Sequence, residues 1–329
     1  MIPLSRTLLT NLLFIVSTSF AFANPPLKQT IDIPAPSLHS GYLDNDETQQ
    51  LFVALPPGYH TGKQRYPVIY YLHGYNGSVR EADRIAKHLP ALLAQDPSLT
   101  EMIIVGINGA NQFGGSFYVN SAVTGNWEDF VVKDVITYVD THYRTLSEPH
   151  YRGLTGFSMG GFATTNLALR HPDTFQHMHA FSAGLFDENG LTDAVTQWQT
   201  MRWYRVLKGY AAAFAPIENS EAKAEWHNWD ATNPKVTALW ESGFGAIPEK
   251  LDYYLKKPNK LSSIRIEYGM NDQFPWIPKG SAYLAAELKK RHIPHEEYAH
   301  DGNHTFTATQ GKNAIVFFDK AFKKQVAEE

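Results

Sequence analysis

The sequence predicts an α/β protein with a mostly parallel central sheet flanked by helices. Three observations predict it. Val68-Ile69-Tyr70-Tyr71-Leu72 and Met102-Ile103-Ile104-Val105-Gly106-Ile107 are apolar runs with no polar face, the character of strands covered on both sides. Strand-like and helix-like segments alternate along most of the chain. Between one such pair lies Gly156-Phe157-Ser158-Met159-Gly160-Gly161, a G-x-S-x-G pattern extended by one glycine. Strand, sharp turn and helix are the setting in which such a serine is forced clear of the sheet, with glycines removing side chains that would clash in the turn.

Taken in order, residues 30–55 read as two or three strands, ending at Pro56-Pro57-Gly58-Tyr59. The run from Val68 leads straight into His73-Gly74-Tyr75-Asn76-Gly77. Residues 81–94 have helical spacing, with Ile85, Leu89, Leu92 and Leu93 on one side. The second apolar strand follows, then a polar, glycine-rich loop over residues 108–125. Residues 127–142 are expected as a helix with Phe130, Val131, Val135, Tyr138 and Val139 as its stripe. Residues 151–155 read as a strand and 162–171 as a helix stopped by Pro172. Further strands are expected at 178–184, 263–269 and 295–299, with helices at 281–291 and 312–323. Residues 185–261 break the alternation and carry many large aromatics. We expect them to form a mainly helical insertion over the sheet's C-terminal edge, walling the site. Trp203 and Trp229 within it, and Trp127 before it, are the candidate substrate-binding side chains, since such rings offer flat apolar surface with polar tips.

Composition narrows the function. The chain has 329 residues, is 43% apolar and carries a formal charge of −4 without a basic run. That suits a sizeable core and argues against a nucleic-acid partner. The absence of cysteine excludes disulfides, thiol catalysis and thiolate metal sites. At the N-terminus, Arg6, an apolar stretch over residues 8–20 and Ala21-Phe22-Ala23 have the form of a signal peptide covering residues 1–23. Residues 24–329 are then expected as a single mature domain, periplasmic or secreted, with no stable membrane insertion after cleavage.

A serine hydroxyl needs a base to take its proton, and the base needs a third group to orient it. In the α/β-hydrolase arrangement these follow in the order Ser, Asp or Glu, His. Asp272 lies just past the strand at 263–269, and His304 lies in the loop before the last helix. Both positions fall at the sheet edge that carries Ser158. His300 is the rival base, and Asp301 and Glu267 are rival acids. The Gly302-Asn303 turn favours His304, and Glu267 would sit inside its strand. Two backbone N–H groups are needed for an oxyanion. One is expected from Met159 at the start of the elbow helix, the other from His73-Gly74-Tyr75, with Tyr75 the first choice. The histidine pairs 177/179, 292/295 and 300/304 lack an H-E-x-x-H pattern, and no metal is expected.

Leu72-His73-Gly74-Tyr75-Asn76-Gly77, Asn126-Trp127-Glu128-Asp129-Phe130, Gly153-Leu154-Thr155-Gly156-Phe157-Ser158-Met159-Gly160-Gly161, His171-Pro172-Asp173-Thr174-Phe175 and Phe181-Ser182-Ala183-Gly184 resemble the esterase D / Putative esterase family. That family includes feruloyl and acetylxylan esterases, S-formylglutathione hydrolases, siderophore esterases and the antigen 85 mycolyltransferases. The resemblance implies an α/β-hydrolase fold and a cofactor-free acyl-enzyme mechanism on a small-molecule or polymer-borne ester. By position it also points to Ser158, Asp272, His304, Met159 and Tyr75. Its mycolyltransferases use a glutamate as the acid, so Asp272 favours the esterase branches. Two other readings remain: an acyltransferase of the antigen 85 type on the same fold, and a catalytically inactive hydrolase fold used for binding.

Overall fold

The computed structural model describes residues 26–218 and 223–326; the expected signal peptide lies outside them. Eight strands form one sheet: β1 (Lys28–Pro34), β2 (Thr48–Ala54), β3 (Val68–Leu72), β4 (Ile103–Ile107), β5 (Arg152–Phe157), β6 (His177–Phe181), β7 (Ser263–Gly269) and β8 (Glu296–His300). Their order across the sheet is β1-β2-β4-β3-β5-β6-β7-β8. Pairing is antiparallel from β1 to β2 and from β2 to β4, and parallel from β4 through to β8.

The apolar strands behave as their sequences demand. Successive side chains of a strand point to opposite faces. Val68, Tyr70 and Leu72 enter one core cluster, and Ile69 and Tyr71 enter the other. A run with no polar face is therefore the run that can have a core on each side. The helices supply those two cores. They are α1 (Leu89–Gln95), α2 (Ile136–His142), α3 (Met159–Arg170), α4 (Gly190–Thr200), α5 (Tyr204–Phe214), α6 (Pro234–Glu241), α7 (Ile247–Leu255), α8 (Trp276–Lys290) and α9 (Ala308–Val326). Leu89 of α1 and Ile315, Phe318 and Phe322 of α9 cover one face. Phe162 and Leu167 of α3, Val139 of α2 and Leu284 of α8 cover the other.

Several segments differ from their expected form. Residues 81–94 are not one helix: a short turn at Asp83–Ala86 precedes α1. Pro90 lies in the first turn of α1 and has no N–H to bond the carbonyl four residues back, so the helix restarts there. Residues 127–142 are helical throughout but widen into a π-helical stretch at Phe130–Val135. Helix α8 begins at Trp276, five residues before its expected start at 281. The described residues of the 185–261 stretch include α4 to α7 and a ribbon of Pro216–Ile217 with Glu225–Trp226. Their apolar side chains join the core on the α3 side: Trp198, Tyr210, Trp240, Phe244 and Leu251 are all buried there.

Burial reaches several histidines. His177 and His179 on β6 and His73 after β3 are fully buried. His177 Nε2–H donates to the His150 carbonyl (2.8 Å), and His179 is paired with the buried Glu267 (3.2 Å). Burial penalises their charged forms, pulling His177 down to about 4 and lowering His73 and His179 as well. The unfolded chain binds these protons more readily, so stability is full above pH ~6.5 and falls as pH drops toward the folded values. Between pH 7 and 4.5, His177 alone should cost about 2–3 kcal/mol. Urea unfolding of His177→Gln at both pH values should show a loss smaller by that amount. The comparison is a difference of differences, so the intrinsic cost of the substitution cancels, and equal losses in the two proteins would refute the assignment.

Candidate active site

The site is built outward from the turn between β5 and α3. Ser158 caps α3 with φ 58° and ψ −115°, a backbone shape that non-glycine residues rarely adopt and that costs on the order of 1–3 kcal/mol. The turn is tight because backbone packs on backbone. A β-carbon built on Gly160 would lie 1.9 Å from the Leu72 carbonyl oxygen, and one on Gly156 would lie 2.4 Å from that of Gly160. Only glycine fits either place. The main chain of Ser158 is tied on both sides: its N–H donates to the Phe181 carbonyl (3.0 Å), and its carbonyl accepts from Gly184 N–H (3.1 Å).

Ser158, His304 and Asp272 come together in one hydrogen-bonded chain although 146 and 32 residues separate the successive partners. His304 Nδ1 lies 2.6 Å from Asp272 Oδ2, and its Nε2 lies 2.9 Å from Ser158 Oγ. A carboxylate only accepts, so Nδ1 carries the hydrogen and Nε2 is left to accept from the serine hydroxyl. Asp272 is buried, and its other oxygen accepts from Phe274 N–H (2.8 Å). The imidazole is packed between the rings of Phe157 (4.6 Å) and Phe274 (5.0 Å).

Two loops at the C-terminal ends of β7 and β8 are laced together to achieve this. Met270 N–H donates to the His300 carbonyl (2.8 Å), and Asn271 N–H to that of Gly302 (3.0 Å). The rivals stand elsewhere. His300 Nδ1 accepts from Gly302 N–H (3.0 Å) and its Nε2 faces Gln310 (3.2 Å), so its ring braces the loop. Glu267 is buried within β7 against His179 and Arg265. Asp301 is exposed.

Met159 N–H is the first of α3, in the turn whose donors have no intrahelical acceptor. The turn carrying Tyr75 lies directly beside the serine, since a β-carbon on Gly74 would come 3.6 Å from Ser158 Cβ. His73 anchors this turn from below. Gly109 N–H donates to its Nε2 (2.9 Å), so Nδ1–H donates to the Gly74 carbonyl (2.8 Å). The lowered pKa of His73 keeps the ring neutral, as this tautomer requires. Tyr75 is fixed at its tip, where its hydroxyl donates to the Phe113 carbonyl.

Two compartments meet at Ser158. One is an apolar pocket of about 420 Å³, mouth included, walled by Phe117, Trp198, Trp203, Val206, Phe244 and Trp276. The other is a more polar groove of about 750 Å³ that His304 lines together with Glu81, Arg84 and Gln273. Trp203 borders both. The other two tryptophan candidates are corrected. Trp127 is fully buried, with its indole N–H donating to the Thr124 carbonyl (2.7 Å) and its ring against Phe130. Trp229 packs on Trp240 (5.4 Å) and borders neither compartment. Phe117 and Trp276 lie outside the insertion, and Phe244 is one of its many aromatics; nothing local in sequence distinguishes a pocket aromatic from a core one. Phe157 and Phe274 were nearer to hand, as residues adjoining Ser158 and Asp272.

The sequence profile described as Putative esterase matches residues 43–323. An esterase of Mycobacterium tuberculosis (strain ATCC 25618 / H37Rv) is 28% identical over 153 residues, 45% of this chain. The chain spans only 32% of that relative's length. An S-formylglutathione hydrolase of Arabidopsis thaliana is 23% identical over 278 residues, covering 75% of this chain and 87% of that protein. Among solved structures, a ferulic acid esterase of Anaeromyces mucronatus in complex with ferulic acid superposes with a TM-score of 0.59 at 17% identity, covering 93% of this chain and 94% of that one. The shared architecture is the α/β-hydrolase fold.

Proposed function

Since the chain belongs to the Putative esterase family, we propose that it cleaves carboxylic esters through a covalent acyl-enzyme on Ser158. The observation that supports this most is the chain from Ser158 Oγ through His304 to Asp272, at 2.9 and 2.6 Å. Ser158 Oγ attacks the ester carbonyl carbon while His304 Nε2 takes its proton, and Asp272 stabilises the resulting imidazolium. The N–H groups of Met159 and Tyr75 receive the negative charge that develops on the carbonyl oxygen. As that charge collapses back, the C–O bond to the alcohol breaks and His304 returns the proton to the leaving oxygen. Water then repeats the sequence on the acyl-serine and releases the acid.

The proton return orients the substrate. The leaving alcohol must lie on the side His304 lines, which is the polar groove with Glu81, Arg84 and Gln273. The acyl group then enters the apolar pocket, which His304 does not line. This arrangement suits an ester of a compact, apolar acid with a polar alcohol.

Ser158→Ala and His304→Ala should each lose activity on a chromogenic short-chain ester by on the order of 10⁴-fold. His300→Ala should lose far less, because that ring braces a loop. A fluorophosphonate probe should label Ser158. Turnover that survives Ser158→Ala, or labelling at another serine, would sink the mechanism.

Trp203→Ala should raise KM for bulky esters more than it lowers kcat, since it removes a wall rather than a reacting group. Trp229→Ala should leave both constants within about twofold of the parent. Steady-state kinetics on one bulky and one small ester separate the two, and equal effects of the two substitutions would contradict this account.

The processing pattern in residues 1–23 supports a periplasmic or secreted setting. Intact-mass analysis of protein expressed from the full sequence should give a chain beginning at Asn24, recovered outside the cytoplasm. A full-length chain retained in the cytoplasm is the result that rejects it.

A further inference from the structure

Lys250 lies on α7 with its ammonium turned into the protein. It donates to the carbonyls of Ser242 (2.8 Å) and Gly243 (2.8 Å), and also to that of Gly245. Three N–H groups meet three carbonyls, the full donor capacity of an ammonium. These carbonyls end α6 and form the bend into α7, where a helix leaves acceptors without intrahelical partners and its dipole favours a cation. Burial draws Lys250 down to about 8 against the upward pull of Glu241 and Glu249, with Arg170 adding a smaller downward push. The ammonium is therefore charged at neutral pH. The mechanism above makes no use of it.

Phe244 sits in the middle of the bend that Lys250 clamps. Its N–H donates to the Tyr210 hydroxyl (2.8 Å), and its carbonyl accepts from Phe186 N–H (2.9 Å). Its ring meets Phe162 (4.7 Å) and forms part of the apolar pocket behind Ser158. A β-carbon on Gly184 would lie 2.7 Å from that ring, and Gly184 N–H is the group that donates to the Ser158 carbonyl. Any shift of the bend thus moves a wall of the pocket that faces the nucleophile.

We propose that Lys250 is a positioning residue that sets the size of the acyl pocket: its ammonium gathers the carbonyls of residues 242, 243 and 245 and so holds the Phe244 ring in place. The inference rests on the esterase reading above. It predicts an effect on which acyl group is accepted, and little on the chemistry at Ser158.

The test compares p-nitrophenyl acetate with p-nitrophenyl hexanoate, which share a leaving group, on the parent protein, Lys250→Met and Lys250→Gln. With the ammonium gone the bend relaxes and the pocket widens. In Lys250→Met the ratio of kcat/KM for hexanoate over acetate should rise about threefold or more, chiefly through KM, with kcat for acetate within about twofold of the parent. Lys250→Gln keeps two N–H donors, should shift the ratio less in the same direction, and serves if the Met variant does not fold. A ratio unchanged in the folded variants, or an equal loss on both esters, overturns the role assigned to Lys250 while leaving the esterase reading intact. If the parent hydrolyses neither ester, the esterase reading falls and this inference falls with it.

Discussion

Backbone pressed on backbone at Ser158 is the constraint on which the rest of the molecule depends. The serine is held at φ 58° because α3 starts against the end of β3, with Gly160 under the Leu72 carbonyl. No side chain can be added there without separating the helix from the sheet. The strain is local, and the two cores on either face of the sheet sustain it. Its result is geometric. The hydroxyl stands clear of β5, the first N–H of α3 faces the same space, and the turn after β3 passes close beside both.

Given that fixed point, the other groups arrive by parallel topology. In a parallel sheet every strand delivers its C-terminal loop to the same edge, so loops distant in sequence become neighbours. The loops after β7 and β8 are then stitched by main-chain bonds from Met270 and Asn271. His304 adds rigidity of a different kind, with Phe157 and Phe274 against its ring and Asp272 fixing its tautomer. A ring held this way keeps its Nε2 directed at Ser158 Oγ.

The insertion divides its aromatics between two tasks. Tyr210, Trp240 and Phe244 form a buried, ring-on-ring cluster that merges with the α3 core. Trp203, by contrast, is partly exposed and borders both compartments. Phe244 belongs to both groups, being buried in the cluster and yet a wall of the pocket. The shape of the apolar pocket is thereby coupled to the packing of the insertion, and the Lys250 clamp lies at the edge of that packing without lining the pocket.

The sequence by itself determined what depends on local pattern. Unbroken apolar runs identified β3 and β4, because only strands with a core on each face tolerate them. The spacing of glycines about Ser158 identified the turn, because close backbone approach excludes every side chain. The order Ser158, Asp272, His304 singled out the residues the structure later gathers, because parallel strands send their ends to one edge. Only the tertiary structure decided what depends on which surface meets which. Trp127, Trp203 and Trp229 look alike in sequence, yet one is core, one borders the cleft and one packs on Trp240. Phe117 and Phe244 share a pocket though they lie far apart in the chain. Lys250 reads as an ordinary helical lysine until the bend at the end of α6 brings three carbonyls to its ammonium. Apolar burial is non-directional, so composition shows that these rings will be buried and leaves their neighbours to the packing of the whole chain.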